Sequence, residues 1–247
     1  MPLKLVYWDY IKPPSREGQA LLEMKERNFK FENVPISCGI NSVPIVPTIV
    51  IINYGVGNLH SARKGLERAG AKVEILTEPA RIAEADALVL PGVGAFAEAK
   101  KNLTKIEDVI VQETMSGKPL LGICLGLQLL FTRSYEGGVT KGLGLLKGDV
   151  VKLPKTLKLP QVGWNNILIE RPSPLLDGVT DNSYVYFVHS YFAKPEEPED
   201  VVGITDYGIR FPSILERKNI FATQFHPEKS GDTGLRILKN FVSAVRK

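Results

Sequence analysis

Cysteine, tryptophan and histidine are scarce in this sequence of 247 residues, which contains two, two and three of them. Cys38 and Cys124 lie far apart, and neither has neighbours at metal-ligand spacing, so we expect no disulfide framework and no metal site. Such sparing use of cysteine favours a reducing, cytoplasmic location. Long apolar runs are missing too, so we expect neither a membrane-spanning helix nor a signal peptide.

A strong excess of one charge is also absent. Lysine and arginine total 31, aspartate and glutamate total 27, and the formal net charge is +4. Without a dense basic run, this balance does not indicate binding to nucleic acid. The hydrophobic fraction of 44% is sufficient for a packed core and argues against global disorder. A chain of this length accommodates one α/β domain with an appendage.

The character of the sequence changes near residue 47. Residues 1–47 combine a charged stretch with several prolines, among them Pro44 and Pro47. Prolines at this spacing are typical of a linker, and no motif that carries chemistry precedes them. We therefore predict an N-terminal extension of unknown role over residues 1–47 and a single domain over residues 48–247.

From residue 48 onward, short apolar strand patterns alternate with amphipathic helix patterns. The expected strands are 48–53, 72–76, 87–91 and 119–123, and the expected helices are 59–69, 97–115 and one after Cys124 that carries Leu127, Leu130 and Phe131. This alternation predicts an α/β fold with a doubly wound, mostly parallel central sheet and flanking helices. Antiparallel additions to the same sheet are expected at 149–153, 166–170, 184–188, 201–205 and 219–223, before a final helix with Leu235, Leu238, Val242 and Val245 on one face.

The segment Gly122-Ile123-Cys124-Leu125-Gly126 lies where the fourth expected strand meets a helix. It has the form of a nucleophile elbow, in which glycines permit a sharp turn and close backbone packing. The amino end of the following helix favours a thiolate at Cys124, and its free N–H groups can hold an oxyanion. Taken alone, the segment is also compatible with a cysteine that merely fills a buried strand end.

A candidate base and a candidate acid follow the last expected strand, in Gln224-Phe225-His226-Pro227-Glu228. Parallel strands gather their carboxyl ends on one edge of a sheet, so His226 can reach Cys124. Glu228 can then hold the imidazole in one tautomer. The two motifs together predict a triad of Cys124, His226 and Glu228.

Six segments, in this order, resemble the class I, triad-type glutamine amidotransferases. Within that family they are most similar to the glutaminase subunits of imidazole glycerol phosphate synthases. The resemblance covers residues 48–247 and leaves residues 1–47 outside it. The matching segments are Asn53–Asn58, Pro91–Gly94, Gly122–Leu130, Gly163–Asn165, Tyr186–Tyr191 and Gln224–Ser230.

The resemblance implies a role for each matching residue. Cys124 would attack the carboxamide carbon of glutamine, His226 would transfer the protons and Glu228 would orient His226. The oxyanion hole would consist of the Leu125 N–H and an N–H from the loop of Gly92, Val93 and Gly94. The substrate would contact Gly94, Gln128, His189, Ser190 and Tyr191. No cofactor and no metal is implied.

A partner is implied as well. In the family it is a (β/α)₈ cyclase subunit, which forms a heterodimer with the glutaminase and receives its ammonia through a channel in histidine biosynthesis. Asn58, Trp164, Tyr186 and Lys229 match positions that resemble the family's interface residues.

Plainer roles compete at several of these positions. His189 is also compatible with a hydrogen-bonded histidine on a half-buried strand, Asn58 with a helix cap, and Trp164 with the core. Gly55 and Gly57 resemble part of a phosphate loop, but the remainder of a dinucleotide-binding fingerprint is missing.

Other functions remain open because the triad does not identify the ammonia acceptor. Anthranilate, aminodeoxychorismate, carbamoyl phosphate and guanylate synthases use the same triad, and the choice among them depends on the segments around it. A peptidase or γ-glutamyl hydrolase of this fold would act without a partner. A non-catalytic binding module would have no need of an intact triad.

Overall fold

The computed structural model describes residues 46–246, so the predictions for residues 1–45, Cys38 among them, lie outside the described residues. The helices in this range are α1 (Leu59–Arg68), α2 (Pro79–Ala83), α3 (Phe96–Leu103), α4 (Glu107–Met115), α5 (Leu125–Leu129) and α6 (Gly231–Val245). The strands are β1 (Thr48–Ile52), β2 (Lys72–Leu76), β3 (Ala87–Gly92), β4 (Leu120–Cys124), β5 (Phe131–Ser134), β6 (Thr140–Lys141), β7 (Leu146–Lys152), β8 (Gln161–Asn166), β9 (Leu168–Ile169), β10 (Tyr184–His189), β11 (Tyr191–Pro195), β12 (Val201–Asp206), β13 (Arg210–Arg217) and β14 (Ile220–Thr223).

The central sheet has eight strands in the order β2-β1-β3-β4-β14-β13-β12-β9, and its first five strands run parallel. Strand β1 is apolar on both faces because each face packs against a core of its own. Ile49 and Ile51 belong to one buried cluster, and Val50 and Ile52 belong to the other. A strand buried on both sides reads as a continuous apolar run, as expected from the sequence.

Three parallel strands end together at the carboxyl edge of this sheet. Gly92 at the end of β3 lies opposite Cys124 at the end of β4, and Thr223 at the end of β14 lies opposite Ile123. The segments that follow these strands therefore meet in space although they lie far apart in sequence.

The second half of the chain departs from the prediction of one extended sheet. Strands β9, β12 and β13 do join the central sheet as antiparallel additions, but β14, predicted as another, runs parallel to β4. Among the described residues, β8 pairs with β10, and β11, β7, β5 and β6 form a separate four-stranded sheet. Strands β5, β6, β8, β11 and β13 and helix α2 have no counterpart in the sequence prediction. Strand pairing between distant segments depends on tertiary contacts, which a local apolar pattern does not encode.

Two predicted helices were wrong in extent. The stretch 97–115 is interrupted between α3 and α4, where the Ile106 N–H bonds back to Leu103 and the Ile106 side chain is buried in the core. The helix after Cys124 ends at Leu129, and Phe131 starts β5 instead, opposite Leu146.

The C-terminal helix α6 packs on the core through Ile237, Leu238, Phe241 and Val242. The sequence pattern correctly predicts Leu238 and Val242 on this face. Within residues 46–246, no helix is long and apolar enough to cross a membrane.

Candidate active site

Cys124 is the last residue of β4, and α5 begins directly after it. Its backbone has a φ of +55°, a left-handed conformation that costs a non-glycine residue about 1–3 kcal/mol. The neighbouring Gly126 makes this turn possible, since a Cβ atom there would lie 1.7 Å from the Leu90 carbonyl oxygen. The segment therefore forms a tight strand-to-helix elbow, as predicted.

His226 and Glu228 follow β14 at the same edge of the sheet. His226 Nδ1 lies 2.8 Å from Glu228 Oε1, and the two side chains are only 2% and 3% exposed. Burial opposes protonation of His226, but the neighbouring Cys124 and Glu228 side chains outweigh it and raise the imidazole pKa. Its second nitrogen, Nε2, is buried and has no hydrogen-bond partner. The ring is thus held by the carboxylate on one side and is free to exchange a proton on the other.

A cavity of about 220 Å³ opens beside the Cys124 sulfur. It is lined by Val93, Gly94, Cys124, Leu125, Gln128, Glu136, Pro160, Val188, His189, Ser190 and Tyr191. All five predicted substrate-binding residues are in this set. A larger depression of about 580 Å³ lies near Asp177 and Asn240, but no cysteine or histidine lines it.

The Tyr191 carbonyl oxygen organises two side chains in this cavity. Gln128 Nε2 and His189 Nδ1 both lie 2.8 Å from it. A carbonyl oxygen only accepts hydrogen bonds, so His189 carries its proton on Nδ1, and its buried Nε2 is an unpaired acceptor. Burial lowers the pKa of His189 to about 4, which keeps the ring neutral. His189 is buried on strand β10, whose burial alternates along the strand as the half-buried interpretation expects, but only half of its hydrogen-bonding capacity is used.

The loop after β3 contains one enclosed and one open glycine. A Cβ atom on Gly92 would lie 2.6 Å from the Tyr54 hydroxyl and 2.8 Å from Leu125 Cβ. A Cβ atom on Gly94, whose φ is +101°, would meet nothing within 4 Å. The Tyr54 hydroxyl also donates a hydrogen bond to the Pro91 carbonyl. The loop is thus closely packed at Gly92 and uncrowded at Gly94.

Three of the four predicted interface residues form one exposed cluster. The Trp164 ring lies edge-on to the Tyr186 ring at 6.0 Å, and Lys229 Nζ lies 5.9 Å from the centre of the same ring. Trp164 is 52% exposed, so it does not belong to the core. Asn58 caps helix α1, with its Oδ1 accepting the Ser61 N–H at 3.3 Å.

Three residues at this site have no role that the sequence alone predicts. Glu136 lies in the turn after β5, where no motif marks it. Tyr54 belongs to the matching segment Asn53–Asn58, but the sequence assigns it no role. Gln224, whose amide Nε2 lies 3.7 Å from Cys124 Sγ, belongs to the His226 motif. The parallel register of β4 and β14 is the signal that could reveal Gln224, because it brings the residues that follow the two strands together.

Comparison with known proteins identifies the family of this site. The family model described as glutamine amidotransferase class-I matches residues 50–245. The chain belongs to the class I glutamine amidotransferase family. Membership explains why a cysteine elbow and a His-Pro-Glu segment meet at one edge of an α/β sheet, and it confirms the predicted family.

Within the class I amidotransferases, the chain is similar to proteins named imidazole glycerol phosphate synthase subunit HisH. The protein from Methanosarcina acetivorans is 52% identical over 197 residues, which cover 78% of this chain and 97% of the relative. The protein from Archaeoglobus fulgidus is 51% identical over 200 residues, which cover 81% of this chain and all of the relative. The predicted similarity to such subunits is confirmed.

Solved structures confirm the amidotransferase fold. A PurLQS structure from Thermotoga maritima has a TM-score of 0.67 at 18% identity, covering 81% of this chain and 99% of that chain. The structure of a putative GMP synthase component from Thermoplasma acidophilum has a TM-score of 0.62 at 20% identity, covering 81% and 94%. The predicted α/β class with a mostly parallel sheet is therefore correct.

Proposed function

We propose that this class I amidotransferase is the glutaminase subunit of imidazole glycerol phosphate synthase. It hydrolyses L-glutamine to glutamate and ammonia and passes the ammonia to a cyclase subunit in histidine biosynthesis. The observation that carries the proposal is the meeting of a strained Cys124 elbow with the buried His226–Glu228 pair beside a small cavity. The similarity to HisH subunits over nearly their whole length supports this choice of acceptor.

The chemistry divides into two steps. The Cys124 thiolate attacks the carboxamide carbon, and protonated His226 gives its proton to the leaving nitrogen, so that ammonia departs and a γ-glutamyl thioester remains. A water molecule then gives a proton to His226, attacks the thioester and releases glutamate and the thiolate. Glu228, which holds Nδ1, stabilises each protonated state of the ring.

The negative charge on the tetrahedral intermediates needs N–H donors. The Leu125 N–H begins α5 next to the sulfur, where the first N–H groups of a helix lack intrahelical acceptors. We assign the second donor to the Gly92–Val93–Gly94 loop, because Val93 and Gly94 line the same cavity. A donor on a rotatable loop provides a means to switch the oxyanion hole on and off.

The cavity lining suits the α-carboxylate and α-ammonium groups of glutamine. Gly94, Gln128 and the segment His189–Tyr191 contribute peptide and amide groups that suit a carboxylate and an amide. Glu136 adds the one carboxylate among the lining residues, and we assign it to the α-ammonium group. Its Oε2 already accepts the Phe96 N–H at 2.8 Å, which fixes the carboxylate in place.

For the partner, we propose a (β/α)₈ cyclase barrel that forms a heterodimer with this chain in the cytoplasm. Its docking surface would include the cluster of Trp164, Tyr186 and Lys229, because tryptophan and tyrosine side chains are frequent interface anchors. Asn58 is assigned to the same surface from the family resemblance. The division between residues 1–47 and a domain at 48–247 remains a prediction.

The test is steady-state glutaminase kinetics on the chain alone, with a purified cyclase barrel, and with the barrel plus its nucleotide ligand. We expect low activity alone and about a hundredfold stimulation in the full mixture, which requires about 2.7 kcal/mol of differential binding between two loop states. Full activity without any barrel would favour a free-standing hydrolase instead. Stimulation only by the acceptor subunit of another synthase would reassign the acceptor.

A further inference from the structure

Gln224 directly follows β14, and its side chain is completely buried. Thr223 lies opposite Ile123 in the parallel pairing of β14 with β4, so Gln224 and Cys124 emerge side by side. Gln224 Nε2 lies 3.7 Å from Cys124 Sγ, and its Oε1 lies 3.1 Å from Gln128 Nε2. The mechanism above does not use this contact.

The main chain determines which end of the Gln224 amide faces the sulfur. The Tyr191 carbonyl oxygen only accepts, so the group of Gln128 that lies 2.8 Å from it must be its NH₂. That NH₂ also contacts Gln224, which must therefore turn its oxygen toward Gln128. The NH₂ of Gln224 is left directed at the sulfur. Amide orientation follows from the hydrogen-bond network in such cases.

We propose that Gln224 stabilises the thiolate form of Cys124 with its amide N–H and holds Gln128 in position for the substrate. The inference rests on the proposed function, in which Cys124 is the nucleophile. The sulfur has a competing partner, the Val188 carbonyl oxygen at 3.7 Å, to which only a protonated thiol can donate. Gln224 favours the opposite state, because an N–H donor is bound more strongly by a charged sulfur than by a neutral one.

The experiment is the pH profile of Cys124 alkylation by iodoacetamide in the full chain, followed by mass spectrometry of the peptide that contains Cys124. The variants are Gln224→Met, which removes donor and acceptor, and Gln224→Glu, which keeps an acceptor for Gln128 but presents no amide N–H to the sulfur. We expect the midpoint of the profile to move upward by about one pH unit in Gln224→Met, the effect of one lost hydrogen bond to a charged group, and by more in Gln224→Glu, where a carboxylate also opposes the thiolate.

Asn219→Leu is the matched control. Asn219 directly precedes β14, whereas Gln224 directly follows it. The Asn219 amide also donates hydrogen bonds, to the Thr114 and Lys118 carbonyl oxygens at 2.8 Å. This variant should leave the alkylation midpoint and glutamine turnover unchanged. A shift equal to that of the Gln224 variants would overturn the proposal, because it would reflect general loosening of the strand.

Glutaminase kinetics separate the two roles of Gln224. In Gln224→Glu we expect a lower kcat with KM close to the unmutated value, since Gln128 keeps its acceptor. In Gln224→Met, KM should rise as well. Circular dichroism establishes that each variant folds, and if Gln224→Met does not, Gln224→Leu takes its place, because Gln224→Glu adds a charge next to the sulfur.

An unchanged alkylation midpoint in a folded Gln224 variant overturns this inference alone. Failure of the proposed function would be seen in a different measurement, in which the Cys124→Ala variant still hydrolyses glutamine. The two failures are therefore distinguishable.

Discussion

The two ends of strand β14 use the same chemical group in different ways. At the amino end, the Asn219 amide donates to two main-chain carbonyl oxygens, one in the last turn of α4 and one in the segment between α4 and β4. At the carboxyl end, the Gln224 amide contacts a sulfur atom and a second amide. An amide at one end completes the backbone hydrogen bonding of the fold, and an amide at the other end contacts groups that react.

Unsatisfied buried groups sharpen this contrast. Of the eight buried side-chain atoms without a hydrogen-bond partner in the described residues, three lie at the carboxyl edge: His189 Nε2, His226 Nε2 and Glu228 Oε2. Leaving such a group unpaired costs about 1–3 kcal/mol. Free hydrogen-bonding capacity of this kind is expected where a substrate completes the network.

The largest expected effect is at Cys124. Cys124→Ala should lower glutamine turnover by at least about a thousandfold, because the covalent route is lost while the fold is retained. Steady-state kinetics and thermal unfolding of the same preparation measure both quantities. Turnover near the unmutated rate would remove Cys124 from the mechanism.

The His226–Glu228 pair should rank next. His226→Ala should be almost inactive because both proton transfers use the ring. Glu228→Gln should keep about ten to a hundred times more activity than His226→Ala. This is roughly the ratio between removing the acid and removing the base of another triad. Measured kcat values for the two variants test the order. Full activity in both variants, with Cys124 still essential, would direct the search for the base to His189.

Substitution of His189 should change how the free energy of unfolding depends on pH. Its pKa is about 4 in the folded protein, below the ordinary value near 6.5, so between these values the unfolded chain binds the extra proton. Stability is therefore lost as the pH falls from about 6.5 to 4. His189→Gln should reduce this acid loss by on the order of 2 kcal/mol.

Urea unfolding of both proteins at pH 7 and at pH 4 measures the His189 effect. The difference between the two proteins cancels the contributions of other titrating groups. Identical pH dependence would mean that the ring is not buried in the neutral form.

The smallest effect on activity is expected at the amino end. Asn219→Leu should lower the free energy of unfolding by about 1–2 kcal/mol through two lost hydrogen bonds and leave kcat and KM unchanged. Denaturant unfolding beside glutaminase kinetics gives both readings. A large loss of activity in this variant would mean that the two ends of β14 are coupled, and the contrast drawn above would fail.

The features predicted from the sequence are those whose causes lie close together along the chain. The Cys124 elbow and the His226–Glu228 pair each occupy a few consecutive residues, and the parallel order of strands follows from their alternation with helices. Glu136 could not be predicted, because it reaches the cavity only through the pairing of β5 with β7, which forms a sheet apart from the central one. The break between α3 and α4 depends on the burial of Ile106 in the folded core, which the local sequence pattern does not encode.

The left-handed backbone at Cys124 favours glycine, whereas the reaction requires a cysteine at the same position. Glycine adopts such a conformation without steric cost, so a Cys124→Gly chain should be about 1 kcal/mol more stable than Cys124→Ala. The residue that the backbone prefers is thus one that has no side chain with which to attack glutamine. Selection for thermal tolerance without selection for catalysis would therefore favour replacement of the nucleophile, and a relative that has lost its substrate should reveal this as a glycine at the elbow.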